Sequence, residues 1–230
     1  MKILAFDTSN KSLSLAILED RTLLADLTIN IKKNHSINLM PAIDFLMASL
    51  DLCPKDIGRI AVAQGPGSYT GLRVAVATAK MLAYSLKIDL VGISSLYALA
   101  ATITDPETLV VPLIDARRQN VYAGFYQNKE SVRADQHIAL SDLIEELKGQ
   151  TKIIFTGEVA GFSNVIKEQL PKAEILPTLP SAFELGLKAQ NMSPVNVDAF
   201  IPEYLKKVEA EEIWLKSHQP ESETNYIKRV

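Results

Sequence analysis

Short apolar runs, each ended by a polar turn, fill the first thirty residues. KILAFD, LSLAIL and TLLADLTIN are separated by TSNKS and EDR, a pattern that predicts three strands in an antiparallel meander. From residue 36 a helix is expected to about residue 50, with Ser36 as its cap and Pro41 tolerated only near the first turn or as a kink. RIAVAQ at 59–64 reads as a buried strand, 70–86 as a long helix and DLVGI at 89–93 as a further strand. Ser94 or Ser95 then caps a helix through LYALAATI. The order is βββαβαβα.

The segment TDPET, residues 104–108, interrupts this order, and LVVPLID opens a new strand. From there the chain repeats its own beginning. ILAFD, five residues and LSLAIL correspond to VPLID, five residues and VYAGFY, so Asp7 and Asp115 close equivalent strands before turns of the same length. A duplicated lobe is the simplest account. One lobe is therefore placed at residues 1–105, a second at 106–205, and a charged tail with Trp214 and Tyr226 at 206–230, either packed back on the first lobe or partly mobile. The second lobe continues with a polar link, a helix capped by Ser141, a strand at 152–157 and a helix to about Leu170. A short strand at EIL and a helix over 181–191 complete it.

Composition narrows the function. A chain of 230 residues with 47% hydrophobic content can bury a sizeable core, and a net charge of −3 supplies no basic footprint for tight, direct nucleic-acid binding. The single Cys53, in MASLDLC, excludes an internal disulfide and a cysteine metal cluster; it reads as a small core residue in a reducing compartment. MKILAFDTSN is far short of a signal-peptide core and no apolar run approaches a membrane span, so a cytoplasmic protein without membrane contact is expected. His35, His137 and His218 are widely separated, with no HxxxH pair, and GxSxG is absent; zinc hydrolysis and a serine nucleophile are poorly supported.

Two strand-Asp-turn-strand units facing each other across a cleft can form a phosphate site. The turns Asp7, Thr8, Ser9, Asn10 and Asp115, Ala116, Arg117, Arg118 would point N–H groups at phosphates, and each Asp would hold a hydrated cation or orient a water. For either unit alone the plainer reading is an Asp that ends a strand and bonds its own turn. Gly65, Pro66 and Gly67 turn the chain sharply, and Ser68 or Thr70 caps a helix whose first N–H groups suit an anion, although the Walker lysine and GxGxxG are missing. That helix is apolar nearly all round. Leu72, Ala75, Val76, Ala79, Leu82, Ala83 and Leu86 form one stripe, and Val74, Ala77, Met81 and Tyr84 lie opposite, with Arg73 and Lys80 among the few polar marks. Residues 37–50 show the same excess, with Ile43, Leu46, Met47 and Leu50 beside only Asn38, Asp44 and Ser49. Such helices need a second apolar neighbour, either another chain or the tail.

FDTS at 6–9, HS at 35–36, QGPGSYTGLRV at 64–74, GISSLYALA at 92–100, IDARRQNVYAGFY at 114–126 and TGEVAGF at 156–162 resemble, in order and over most of the chain, the TsaB (YeaZ) family. The resemblance implies an α/β fold: two lobes of the duplicated acetate and sugar kinase/Hsp70/actin (ribonuclease H-like) fold, each a mixed β-sheet flanked by helices. It implies a noncatalytic scaffold or activator in the bacterial complex forming N6-threonylcarbamoyladenosine next to the anticodon of tRNAs that read codons beginning with A. The implied partners are the catalytic paralogue TsaD and the ATPase TsaE, with a homodimer when TsaD is absent and with indirect tRNA contact.

The metal-binding histidines of TsaD fall here on Ser95 and Leu99, and its glycine-rich nucleotide loop falls on Thr156, Gly157 and Glu158, where a carboxylate crowds a phosphate or ribose. No catalytic residue, metal or cofactor is therefore expected; Asp7, Thr8, Ser9, Asp115 and Gly157 remain candidates for a vestigial phosphate site. The helices at 36–50 and 70–86 are expected to pack on the matching pair of TsaD, Ile43, Leu46, Met47, Ala77, Met81 and Tyr84 supplying apolar contact and Arg73 and Lys80 setting register. The alternative is a phosphotransferase or nucleotide hydrolase using Asp7 and Asp115, and a metallopeptidase is a remote third.

Overall fold

In the computed structural model, which describes residues 1–30 and 35–206, two mixed sheets repeat one arrangement. β1 (Lys2–Asp7), β2 (Leu13–Glu19) and β3 (Thr22–Ile29) form the meander, and β4 (Ile57–Gly65) and β5 (Asp89–Ser94) add in parallel beside β1, giving the order β3-β2-β1-β4-β5. β6 (Leu109–Asp115), β7 (Asn120–Gln127), β8 (Glu130–Ala139), β9 (Ile153–Gly157) and β10 (Glu174–Leu176) give β10-β9-β6-β7-β8, the same connectivity. The repeat read from the strand sequences is a repeat of whole sheets.

Two details differ from the sequence expectation. Asp7 pairs with Ser14 but Asp115 pairs with Val121, so the first turn is one residue longer rather than equal. The polar link after β7 is mostly strand: β8 is an edge strand, exposed through its first half, and ESVRADQHIA lacks the apolar alternation that marks a strand with one buried face.

Helices cover both faces of both sheets. On the outer face of the first sheet lie α1 (His35–Ser49) and α2 (Tyr69–Leu86), packed through Leu39, Ile43, Leu46, Ala75, Val76 and Ala79. On the outer face of the second lie α4 (Leu140–Leu147) and α5 (Ser163–Gln169). Between the sheets sit α3 (Ser95–Ala100) and α6 (Ala182–Ala189), and these two are exchanged: α3 follows β5 yet packs on β6, β7 and β9, whereas α6, late in the chain, packs on β1 and β2. Gly186 makes this approach possible, since a Cβ there would meet Leu18 Cδ1 at 2.3 Å.

Local chemistry fixes the helix ends. Ser68 Oγ accepts the Gly71 N–H, and Ser94 Oγ, rather than that of Ser95, accepts from Leu96. Ser36 and Ser141 lie inside their helices rather than ahead of them. α1 already begins at His35, whose Nε2 lies 2.9 Å from the Asn10 carbonyl, and α4 begins at Leu140, whose N–H is taken by the Gln119 carbonyl. Pro41 falls inside α1, beyond its first turn, and has no N–H to give to the Ile37 carbonyl. Cys53 is exposed rather than in the core, because its N–H is held by Asp56 in the polar 3-10 turn Pro54–Asp56.

After α6 the chain returns to the first sheet. Val195 N–H bonds the Leu90 carbonyl, Phe200 is buried with the outer core, and Glu203 N–H bonds the Gln64 carbonyl at 2.7 Å. Residues 195–204, grouped by sequence with the second lobe, thus lie on the first. Gly92 is bare to admit the Phe200 ring, which a Cβ would approach to 2.5 Å. The sequence expectations for Trp214, His218 and Tyr226 lie outside the described residues. Among those described, no helix is long and apolar enough to cross a membrane.

Candidate functional site

Open α/β sheets receive ligands beyond the carboxyl ends of their strands, where neighbouring connections diverge. In the first sheet that place is between β1 and β4, and it is filled by the chain itself. Thr8 Oγ1 donates to the Gly71 carbonyl at 2.7 Å, and the Ser68 N–H donates to the Ser9 carbonyl at 2.6 Å. Added Cβ atoms would stand 2.0 Å from the Thr8 oxygen at Gly71 and 2.3 Å from the Ser9 oxygen at Gly67. The glycines of GPGSYTG therefore let the start of α2 seat directly on the Asp7 turn, and a protein carbonyl takes the N–H that an anion would need.

Asp7, Thr8 and Ser9 are 0% exposed and do not line the cleft. Asp7 Oδ1 accepts the Ser9 N–H at 2.6 Å, while Asp7 Oδ2, Ser9 Oγ and Asn10 Nδ2 are buried without partners. Burial pushes the Asp7 carboxyl up to about 6 against the pull of the Ser9 N–H.

The corresponding place in the second sheet opens on a cavity of about 720 Å³, walled by Asn10, Lys11, Ser12, Leu99, Asp115, Arg117, Arg118, Gly157, Glu158, Phe162 and Leu179, among others. Of the five phosphate candidates, the structure brings together here only Asp115 and Gly157. Asp115 Oδ1 accepts the Arg117 N–H at 2.8 Å, and the turn passes through three left-handed residues, Arg117, Arg118 and Gln119. Asn120 Nδ2 donates to the Arg118 carbonyl and closes it. Gly157 has φ +78°, a conformation that favours glycine, and a Cβ there would lie 2.6 Å from the Leu113 oxygen. Glu158 then turns into the crevice. Its N–H bonds the Leu113 carbonyl, its Oε2 accepts the Asp115 N–H at 3.1 Å, and its Oε1 lies 3.8 Å from Lys11 Nζ.

Ser95 is fully buried and Leu99 forms part of the cavity wall. Among the described residues, no three His, Cys, Asp or Glu side chains are grouped to hold a metal ion.

The helix pair has a different outer face from the one expected. Ile43, Leu46 and Met47 point inward and belong to the core beneath α1. Outward stand Ile37 (67% exposed), Met40 and Phe45 (61%) from α1, and Ala77, Met81 (59%) and Tyr84 (71%) from α2, which packs beside it. Ile37, Met40 and Phe45 are absent from the sequence expectation, although 37, 40–41, 44–45 and 48 form a second helical stripe that is apolar except for Asp44. Arg73 and Lys80 hold the returning segment of their own chain. Arg73 Nε bonds the Tyr204 hydroxyl with its guanidinium 4.0 Å over the Tyr69 ring, and Lys80 Nζ bonds the Asp198 carbonyl at 3.0 Å.

A family profile described as "TsaD: tRNA N6-adenosine threonylcarbamoyltransferase" matches residues 22–214. The "tRNA threonylcarbamoyladenosine biosynthesis protein TsaB" of Bacillus subtilis is 38% identical over 229 residues, covering 95% of this chain and 100% of the relative. The chain belongs to the TsaB family. TsaB of Escherichia coli is 32% identical over 133 residues, 57% of each chain. The solved YeaZ from Pseudomonas aeruginosa superposes with a TM-score of 0.72 at 25% identity, covering 88% of this chain and 100% of that one. The activator of 2-hydroxyisocaproyl-CoA dehydratase from Clostridium difficile shares the fold, with a TM-score of 0.52 at 14% identity over 97% of this chain and all of that one. The resemblance to TsaB and the duplicated two-lobed α/β architecture thus agree with these relatives.

Proposed function

We propose that this TsaB-family chain acts in the formation of tRNA N6-threonylcarbamoyladenosine as a noncatalytic subunit that binds and stabilises TsaD and helps recruit TsaE. The observation that carries the reading is the uncovered apolar face of α1 and α2, where Ile37, Met40, Phe45, Met81 and Tyr84 stand in solvent. Large contiguous apolar patches on a folded chain mark association surfaces. The inner sides of the same two helices are locked into the core, so the face is a preformed platform. The same face serves a homodimer when TsaD is absent. The net charge of −3 favours tRNA contact through the partner. A noncatalytic role also accords with an Asp7 carboxyl sealed under main chain and with Glu158 standing in the second crevice.

Met81→Asp tests the assignment. The side chain is 59% exposed in the monomer, so its stability should change by no more than about 0.5 kcal/mol, whereas a complex that covers it buries an unpaired charge. Co-purification with TsaD followed by size-exclusion chromatography should show loss of the complex. Val165→Asp on the exposed side of α5 should leave it intact. Normal assembly of the Met81 variant would refute this use of the helix face.

A further inference from the structure

The pairing of β6 with β9 ends in an unusual way. The last main-chain rung is Glu158 N–H on the Leu113 carbonyl. The strands then part, and the next donor of β6, the Asp115 N–H, is taken by the Glu158 side chain instead of by backbone. A strand-end N–H at the point where connections diverge is the kind of donor an open α/β sheet presents to an anionic ligand. Here the anion is a residue of the same chain. The Glu158 side chain is only 16% exposed although it borders a cavity, which places it between the Asp115 turn and Lys11. Lys11 comes from the turn after β1, so the pair joins turns from both sheets.

We propose that Glu158 is an intramolecular substitute for a ligand phosphate, and that removing its carboxylate exposes a latent site for a pyrophosphate-class anion held by the Asp115 N–H, Lys11 and Arg117. The charges on the cavity wall support this class. With Glu158 gone, Lys11 and Arg117 remain on the cavity wall beside Asp115, which already has one oxygen engaged by the Arg117 N–H. The proposal concerns the cleft and is independent of the helix-face reading: a chain with a sealed or an unsealed cleft can equally dock through α1 and α2.

The test uses inorganic pyrophosphate titrated into the full chain, with binding heat and the Asp115 amide resonance recorded together. The wild type should give no saturable binding. Glu158→Ala should bind at least about tenfold more tightly than wild type, and its Asp115 amide, shifted by the substitution, should move back toward the wild-type position on saturation. Glu158→Gln should fall between the two, because its amide oxygen still accepts the N–H but carries no charge; it also provides the comparison if the alanine variant fails to fold. Adding Lys11→Ala to either variant should weaken the new site. Wild-type binding as tight as that of the variants, or variant binding that leaves the Asp115 amide unmoved, would overturn the proposal.

Discussion

The turns after β1 and after β6 leave equivalent strands of equivalent sheets, yet the first is sealed by main chain and the second by one side chain. At the first, Gly67 and Gly71 bring the start of α2 within hydrogen-bonding distance of Thr8 and Ser9. At the second, Glu158 alone reaches the Asp115 N–H, and a cavity remains beside it. A seal made of backbone is part of the packing and cannot be removed without disturbing the sheet. A seal made of one carboxylate can be taken away while the fold stays.

Substitutions sharpen this contrast, and the largest effect belongs to Gly71→Ala. Its Cβ meets a backbone oxygen at 2.0 Å, with no flexible side chain to yield, so urea denaturation should show a loss of about 3 kcal/mol or more. Asp7 comes next. Its carboxyl titrates near 6 when folded and near 3.8 when free, so the folded chain holds the proton more tightly between those values. Stability from this group therefore falls as pH rises from about 4 to 6 and then levels, by on the order of 3 kcal/mol. Asp7→Asn should flatten that slope and be at least as stable as wild type at pH 8; a large loss there would mean that the ionised form has a partner.

Gly157→Ala, with its left-handed φ and the Leu113 oxygen at 2.6 Å, should cost about 1–3 kcal/mol in the same assay. Glu158→Ala should be mildest, within about 1 kcal/mol of wild type, since the freed N–H faces an open cleft and the Lys11 pair is long and partly exposed. A loss like that of Gly71→Ala would erase the distinction between the two seals.

The same physics decides how much of the molecule is legible in its sequence. Strands buried on both faces, such as LSLAIL, announce themselves as apolar runs, and the spacing around Asp7 and Asp115 exposes the duplication of the sheet. β8 stays hidden because an edge strand needs backbone pairing but no apolar face. In α1 the trouble is phase. A helix apolar nearly all round has no strong periodic signal to say which stripe meets the sheet, so the pattern points Ile43, Leu46 and Met47 outward when Ile37, Met40 and Phe45 hold that place. The Asp7 turn is legible as an Asp that bonds its own backbone, but its closure depends on Gly67 and Gly71, some sixty residues away. The use of Arg73 and Lys80 by residues 198–204 likewise depends on a contact across more than a hundred residues.

The exchange of α3 and α6 also sets the order in which the chain can complete itself during synthesis. β1 to β5 leave the ribosome early, but the inner face of their sheet, with Ala5, Ala16, Leu18, Ala61 and Ala63, is covered in part by residues 182–189 near the end of the described chain. An emerging first half thus carries an uncovered apolar sheet face and takes with it the helix that the second sheet needs. Neither sheet can finish burying its core alone, so the protein commits to its native state only when most of it has been made.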